Sequence, residues 1–185
     1  IDKAGSDVAL RGDTVTFSQL TVGGETTFIK SSNLRVGIDR TSLGSRFDRV
    51  QVHLLGDYTP VRKDDAATVV IQSGDLVVYR AMLDNSGLLD ATFDLDNQML
   101  GKQWIDLEFA LTYTPQQVCG PLMARMVFRI DPRSSLTMHR GGAPLGGFGA
   151  FPFEFSPSFV VAFDGSSPNQ LAYAARVVAA VAALT

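Results

Sequence analysis

WIDLEFALTYT, residues 104–114, alternates from end to end. Ile105, Leu107, Phe109, Leu111 and Tyr113 share one face of an extended chain; Trp104, Asp106, Glu108, Ala110 and Thr112 share the other. A period of two is the signature of a β-strand with one face on a core and one in water. Antiparallel sheets leave one face wet in this way, whereas a strand covered on both sides reads as a continuous apolar run. A slip of one residue would expose the whole apolar set, so the register is firmly specified.

Shorter runs of the same kind surround this strand, at 14–17, 26–30, 34–38, 49–55, 67–72, 76–83, 88–93, 125–130 and 136–139. Between them VGGE (22–25), GDYTP (56–60), QSGD (72–75) and DNSG (84–87) carry turn chemistry. About ten strands at this spacing, with no helical period before residue 165, predict a mostly β, antiparallel sandwich or barrel.

The pattern changes at the end of the chain. FVVAF (159–163) is apolar throughout and predicts a strand covered on both sides. Asp164-Gly165 ends it, Ser167 can N-cap a helix, and Pro168 suits the first helical position. Leu171, Ala174, Ala175, Val178, Val181 and Ala182 then recur at helical spacing. A strand, a cap and a helix open an α/β unit, with GGAPLGGFG (141–149) before it as the natural boundary. The expected organisation is one β domain over residues 1–150 and, over 151–185, a linker with the first strand and helix of a second domain. The helix stripe needs a cover, so the helix is expected to pack on the β domain, to swap with a second copy in a homodimer, or to fray.

With 185 residues and 45% apolar side chains, the chain can build one well-cored domain and a little more. Lys and Arg number 16 against 19 Asp and Glu, and no basic block exists, so no nucleic-acid footprint is expected. The single cysteine, Cys119, excludes an intrachain disulfide and a cysteine-rich metal site; it reads most simply as a small apolar residue.

Trp104, Asp106 and Glu108 are the candidate site. A sugar ring stacks its C–H face on an aromatic side chain and offers hydroxyls to carboxylates. A tryptophan sharing a wet strand face with two acids fits that ligand. The plainer reading packs Trp104 under a loop at the strand start, since tryptophan is mostly buried. Asp106 and Glu108 lie about 6.5–7 Å apart along a strand, near the carboxylate separation of inverting glycosidases. Glycosidases, however, set their acids on opposite sides of the scissile bond, so the expectation is no enzyme. No nucleophile elbow and no phosphate loop is present.

Asp90, Asp94, Asp96 and Asn97 are rich in oxygen, and a structural calcium is the one cofactor worth weighing there. A turn held by Asx hydrogen bonds is the simpler reading, so no cofactor is expected. His53 and His139 have no companion at metal-ligand spacing.

Several stretches resemble one family. TVTFSQL (14–20), RVQVHLLGDYTP (49–60), LVVYRAML (76–83), the strand ending at Thr114 with Cys119 after it, and FPFEFSPSFVVAFDGSSPNQLAYAARVVAAVAAL (151–184) follow one another as in the periplasmic B subunit of bacterial cellulose synthase. The chain departs from that pattern at Ser73-Gly74-Asp75, where the family has an Asn-Gly type turn. The resemblance implies a jelly-roll, carbohydrate-binding-like domain over 1–150 and the start of a flavodoxin-like domain over 151–185. It also implies a non-catalytic role outside the cytoplasmic membrane, in a parent protein anchored there. The implied partners are a membrane-embedded glucan synthase catalytic subunit and the glucan chain. The bare β-sandwich pattern leaves an independent carbohydrate-binding or adhesion module as the alternative.

Overall fold

A computed structural model describes residues 14–43, 47–95, 97–116, 125–140, 160–162 and 167–183. Among the described residues ten strands form where alternation placed them: β1 (Thr14–Thr16), β2 (Glu25–Phe28), β3 (Ser31–Asp39), β4 (Phe47–Tyr58), β5 (Ala66–Ser73), β6 (Leu76–Leu83), β7 (Leu88–Leu95), β8 (Trp104–Thr114), β9 (Met126–Ile130) and β10 (Ser135–Arg140). All pairings are antiparallel. The stretch GDYTP is less of a turn than its composition suggests, because β4 continues through Gly56 and Asp57 to Tyr58.

One sheet has the order β3-β8-β5-β6. In the other, β7 lies along one edge of β4 from Val50 to Asp57. Along the opposite edge β10 covers Phe47 to His53 and β9 covers Gly56 to Tyr58. β1 then pairs with β10, and β2 with β9. β9 and β10 are therefore one strand interrupted at 131–134, and β1 and β2 one strand interrupted at 17–24. Counted this way each sheet is four strands wide. The chain switches sheets at every connection except the β5-β6 hairpin, which is the wrapped connectivity of a jelly roll. The fold is an antiparallel jelly-roll β-sandwich followed by a C-terminal helix.

The inward faces make the core. Phe17, Ile38, Leu54, Ile71, Leu107, Phe109 and Phe128 are all buried. Phe109 meets Phe128 with ring centroids 6.0 Å apart, tilted by 41°. Tyr79 stacks on Phe93 at 5.8 Å and 25°, where the β6 and β7 edges meet.

Ser134 secures the interruption between β9 and β10. Its fully buried hydroxyl accepts the Leu55 N–H at 2.9 Å and lies 3.0 Å from the Leu55 carbonyl and 2.7 Å from that of Asp131. The Asp131 N–H also donates to the Leu55 carbonyl at 2.9 Å. One side chain thus replaces the ladder partners that the break withholds from β4. Ser134→Ala leaves the Leu55 N–H without its acceptor and is expected to cost about 1–3 kcal/mol in chemical denaturation.

Three carboxylates fix turns and set the acid behaviour. Asp131 accepts from the guanidinium of Arg133 (2.6 Å) and from its backbone N–H (2.8 Å), which hold its pKa at about 2 instead of 3.8. Tyr113 O–H (2.6 Å) and Gln116 N–H (3.0 Å) hold Asp65 below the usual carboxylate range. Ser86 and Tyr58 do the same for Asp84. A pKa lowered in the folded state means that the native fold favours the charged form. That contribution is present above the ordinary carboxylate pKa and is lost as pH falls through the folded value. Denaturant midpoints are expected to fall between about pH 4 and about pH 2, less steeply in Asp131→Asn; an identical slope in that variant would remove Asp131 from the account.

Among the described residues two single turns escape the sequence pattern because four residues carry no period. One is a 3₁₀ turn, Arg40–Leu43; the other is α1, Asn97–Leu100. Buried Arg40 ties them together. Its Nε donates to the Leu100 carbonyl and its guanidinium sits 4.7 Å above the Phe47 ring. Burial pulls the pKa of this guanidinium down.

The end of the chain is a helix, α2 (Pro168–Ala182), starting as predicted. Ser167 caps it, Pro168 is its first residue, and Ser167 and Gln170 form a reciprocal capping box. Its apolar stripe stays largely uncovered: Leu171, Val177 and Val178 are exposed and only Val181 is buried. The strand expected over 159–163 is corrected where it is described. Val160, Val161 and Ala162 belong to no sheet, and Val160 stands in solvent. An apolar run becomes a doubly covered strand only when neighbours pair with it, and no described strand does. Residues 141–159 and Cys119, with the proposed boundary and linker, lie outside the described residues.

Candidate functional site

β8 lies inside its sheet, with β3 on one side and β5 on the other. Its outward residues are therefore the spine of the sheet's outer face. Register places Trp104 opposite Asp39 and Asp106 opposite Gly37. Glu108 lies between Arg35 and Gln72, Ala110 between Asn33 and Val70, and Thr112 between Ser31 and Thr68. β6 extends the face with Val77, Arg80 and Met82.

The structure brings all three predicted residues onto this one face. Trp104 is 52% exposed, so it is not packed beneath a loop. Its indole rests instead by the bare backbone of Gly37. A Cβ on Gly37 would lie 3.5 Å from Trp104 Cε3 and 3.5 Å from Asp106 Oδ1. Glu108 is mostly covered and bound to Arg35 at 2.9 Å, while Arg35 itself stays exposed. Further along, the hydroxyls of Thr68 and Thr112 meet at 2.6 Å. Lys102 reaches the β5-β6 turn, where a Cβ on Gly74 would lie 3.6 Å from its Nζ. Charges of both signs are interspersed here: Arg35 and Arg80 with Asp39, Asp106 and Glu108 on the strands, and Lys102 with Asp75 at the β5-β6 turn.

This arrangement can stack one ring and hydrogen-bond several hydroxyls. It is poorly suited to hydrolysis. Asp106 and Glu108 project side by side from one strand, and Glu108 is already committed to Arg35. Inverting and retaining glycosidases both need carboxyls flanking the scissile bond.

The aspartates at 90 and 94 sit on a strand, not in the expected turn. They face outward on the other sheet and are partnered: Asp90 with His53 Nε2 at 2.9 Å, and Asp94 with Gln51 at 3.4 Å and Arg49 at 3.9 Å. Asp96 and the Asn97 side chain lie outside the described residues. His139 shares this face with His53. It lies opposite Arg49, however, four residues along β4 from His53, or about 13 Å. Among the described residues no group of three or more His, Cys, Asp or Glu side chains is placed to hold a metal ion.

Sequence reasoning missed Arg35, Gln72 and Gly37. The first two become neighbours of Glu108 only through strand pairing. Gly37 left a signal: a glycine at a polar position inside the alternating run 31–39 marks a close approach of another group.

No protein-family model and no curated protein matches the chain. Among solved structures, it is similar to the CBM22-1 xylan-binding domain of Paenibacillus barcinonensis Xyn10C, with 9% identity, a TM-score of 0.34, and coverage of 70% of this chain and 94% of that one. It is also similar to infectious bursal disease virus Gt strain, with 12% identity, a TM-score of 0.34, and coverage of 90% and 46%.

Proposed function

We propose that this chain is a non-catalytic carbohydrate-binding module whose ligand lies along the outer face of the β3-β8-β5-β6 sheet. The observation that carries this reading is the half-exposed Trp104 with Asp106 beside it and the fixed Arg35–Glu108 pair one row on. An exposed aromatic ring surrounded by convergent polar groups suits a ligand that is apolar on one face and hydroxylated at its rim. The mixed charges of the face, with no basic cluster, favour an uncharged glycan over a polyanion.

The finer reading rests on the sequence resemblance alone. It places the module extracytoplasmically in a cellulose-synthase-like complex, guiding a nascent glucan or scaffolding the membrane-embedded catalytic subunit. Its parent would be membrane-anchored. Among the described residues no helix is long and apolar enough to cross a membrane.

The test is a titration with cello-oligosaccharides followed by the fluorescence of Trp104, the one tryptophan of the chain. Saturable quenching is the expected result. A flat titration and a flat calorimetric trace at millimolar sugar would sink the binding reading and leave scaffolding.

A further inference from the structure

We propose that Gly37 is the positioning residue of this face, holding the Trp104 ring ready for one uncharged pyranose ring; this rests on the carbohydrate-binding reading above. Gly37 points outward on β3, directly opposite Asp106 and diagonal to Trp104. The other outward positions of β3, Ser31, Asn33, Arg35 and Asp39, all carry polar side chains. Position 37 has room for the indole only while its side chain is no larger than a methyl group. From the position a Cβ would take, Cε3 of Trp104 is 3.5 Å away and Cζ3 is 3.8 Å.

A methyl group there makes ordinary contact. A γ-carbon of a branched side chain that projects toward the ring reaches about one bond length further and comes inside the roughly 3.5–4.0 Å optimum for carbon contacts. The ring would have to leave. With glycine, the benzo edge of the indole lies over position 37, and about half of the residue's surface faces water. An exposed tryptophan at a strand end would otherwise sample several rotamers and lose that freedom on binding. Removing this cost before the ligand arrives is preorganisation. The same bare position lets Asp106 approach: its Oδ1 lies 3.5 Å from the Cβ point, level with the ring. Ring and carboxylate therefore converge on one backbone unit. That defines a subsite for a single sugar, its C–H face on the indole and a hydroxyl donating to Asp106.

The experiment compares the wild-type chain, Gly37→Ala, Gly37→Val and Trp104→Ala in cellohexaose titrations. Each protein is also measured by denaturation and by time-resolved anisotropy of its tryptophan where present. Gly37→Ala should bind within about twofold of wild type, whereas Gly37→Val should bind at least about tenfold more weakly. Valine suits a strand better than glycine, so the denaturation midpoint should hold or rise while binding falls. A purely structural glycine would not separate the two readouts. Anisotropy should show a ring fixed to the protein in the wild type and faster local motion in Gly37→Val. Wild-type binding by Gly37→Val, with binding lost in Trp104→Ala, overturns the positioning role and leaves the carbohydrate-binding reading standing. Absence of binding by the wild type overturns both. The wild-type anisotropy needs no variant to fold: a freely wobbling ring overturns the proposal by itself.

Discussion

Phe109→Ala is expected to lower the stability of the sandwich by about 3–5 kcal/mol, the largest loss from any single side chain on β8. Phe109 is fully buried at the middle of the strand, which is paired on both sides there, with Leu34 and with Ile71. Its ring meets Phe128 of the opposite sheet. Neither sheet can collapse into the space it vacates without breaking a ladder, so the cavity term adds to the lost transfer energy. The adjacent Ala110 points outward, and Ala110→Ser should change stability by no more than about 0.5 kcal/mol. Equilibrium urea denaturation of both variants checks the pair. Equal effects at 109 and 110 would contradict the assignment of inward and outward faces.

Trp104→Ala is expected to do the reverse. Half exposed and outside the core, Trp104 should contribute about 1 kcal/mol or less to folding. As the aromatic anchor of a ligand face it should contribute at least about 2 kcal/mol to binding, roughly a thirtyfold loss of affinity. Asp106→Ala should weaken binding more than Glu108→Ala, because Glu108 already spends its carboxylate on Arg35. Isothermal titration with cellohexaose measures all three. If binding survives Trp104→Ala and disappears in His53→Ala, the ligand lies on the other sheet and the proposed face is wrong.

The strands were legible because alternation is local and each inward face needs an apolar residue at every second position. The cap of α2 was legible for the same reason: Ser167 and Pro168 are adjacent. What lay beyond reach was set by pairing between distant segments. The sandwich-or-barrel pattern did not say which strands would be interrupted, and nothing near Ser134 announces that its hydroxyl will serve Leu55 across 79 positions. Trp104, Asp106 and Glu108 could be placed on one face from their own strand. Arg35, Gly37 and Gln72 could join them only once β3 and β5 took their register. FVVAF is described only over 160–162: its composition describes what would surround a strand, and no described strand pairs with those three residues.

The pairing of β1 with β10 has a consequence for the order in which the molecule assembles. Thr14 and Thr137 share a hydrogen bond at 3.1 Å across 123 positions of sequence. Closing so long a loop costs chain entropy before it returns any contact, so topology of this kind folds slowly. Among the described residues β1 pairs only with β10, and β2 likewise depends on β9. During synthesis, or during threading through a narrow pore, β1 and β2 must wait until residues 126–137 have emerged. The sandwich therefore assembles only when almost all of it is present, and β10 acts as its latch.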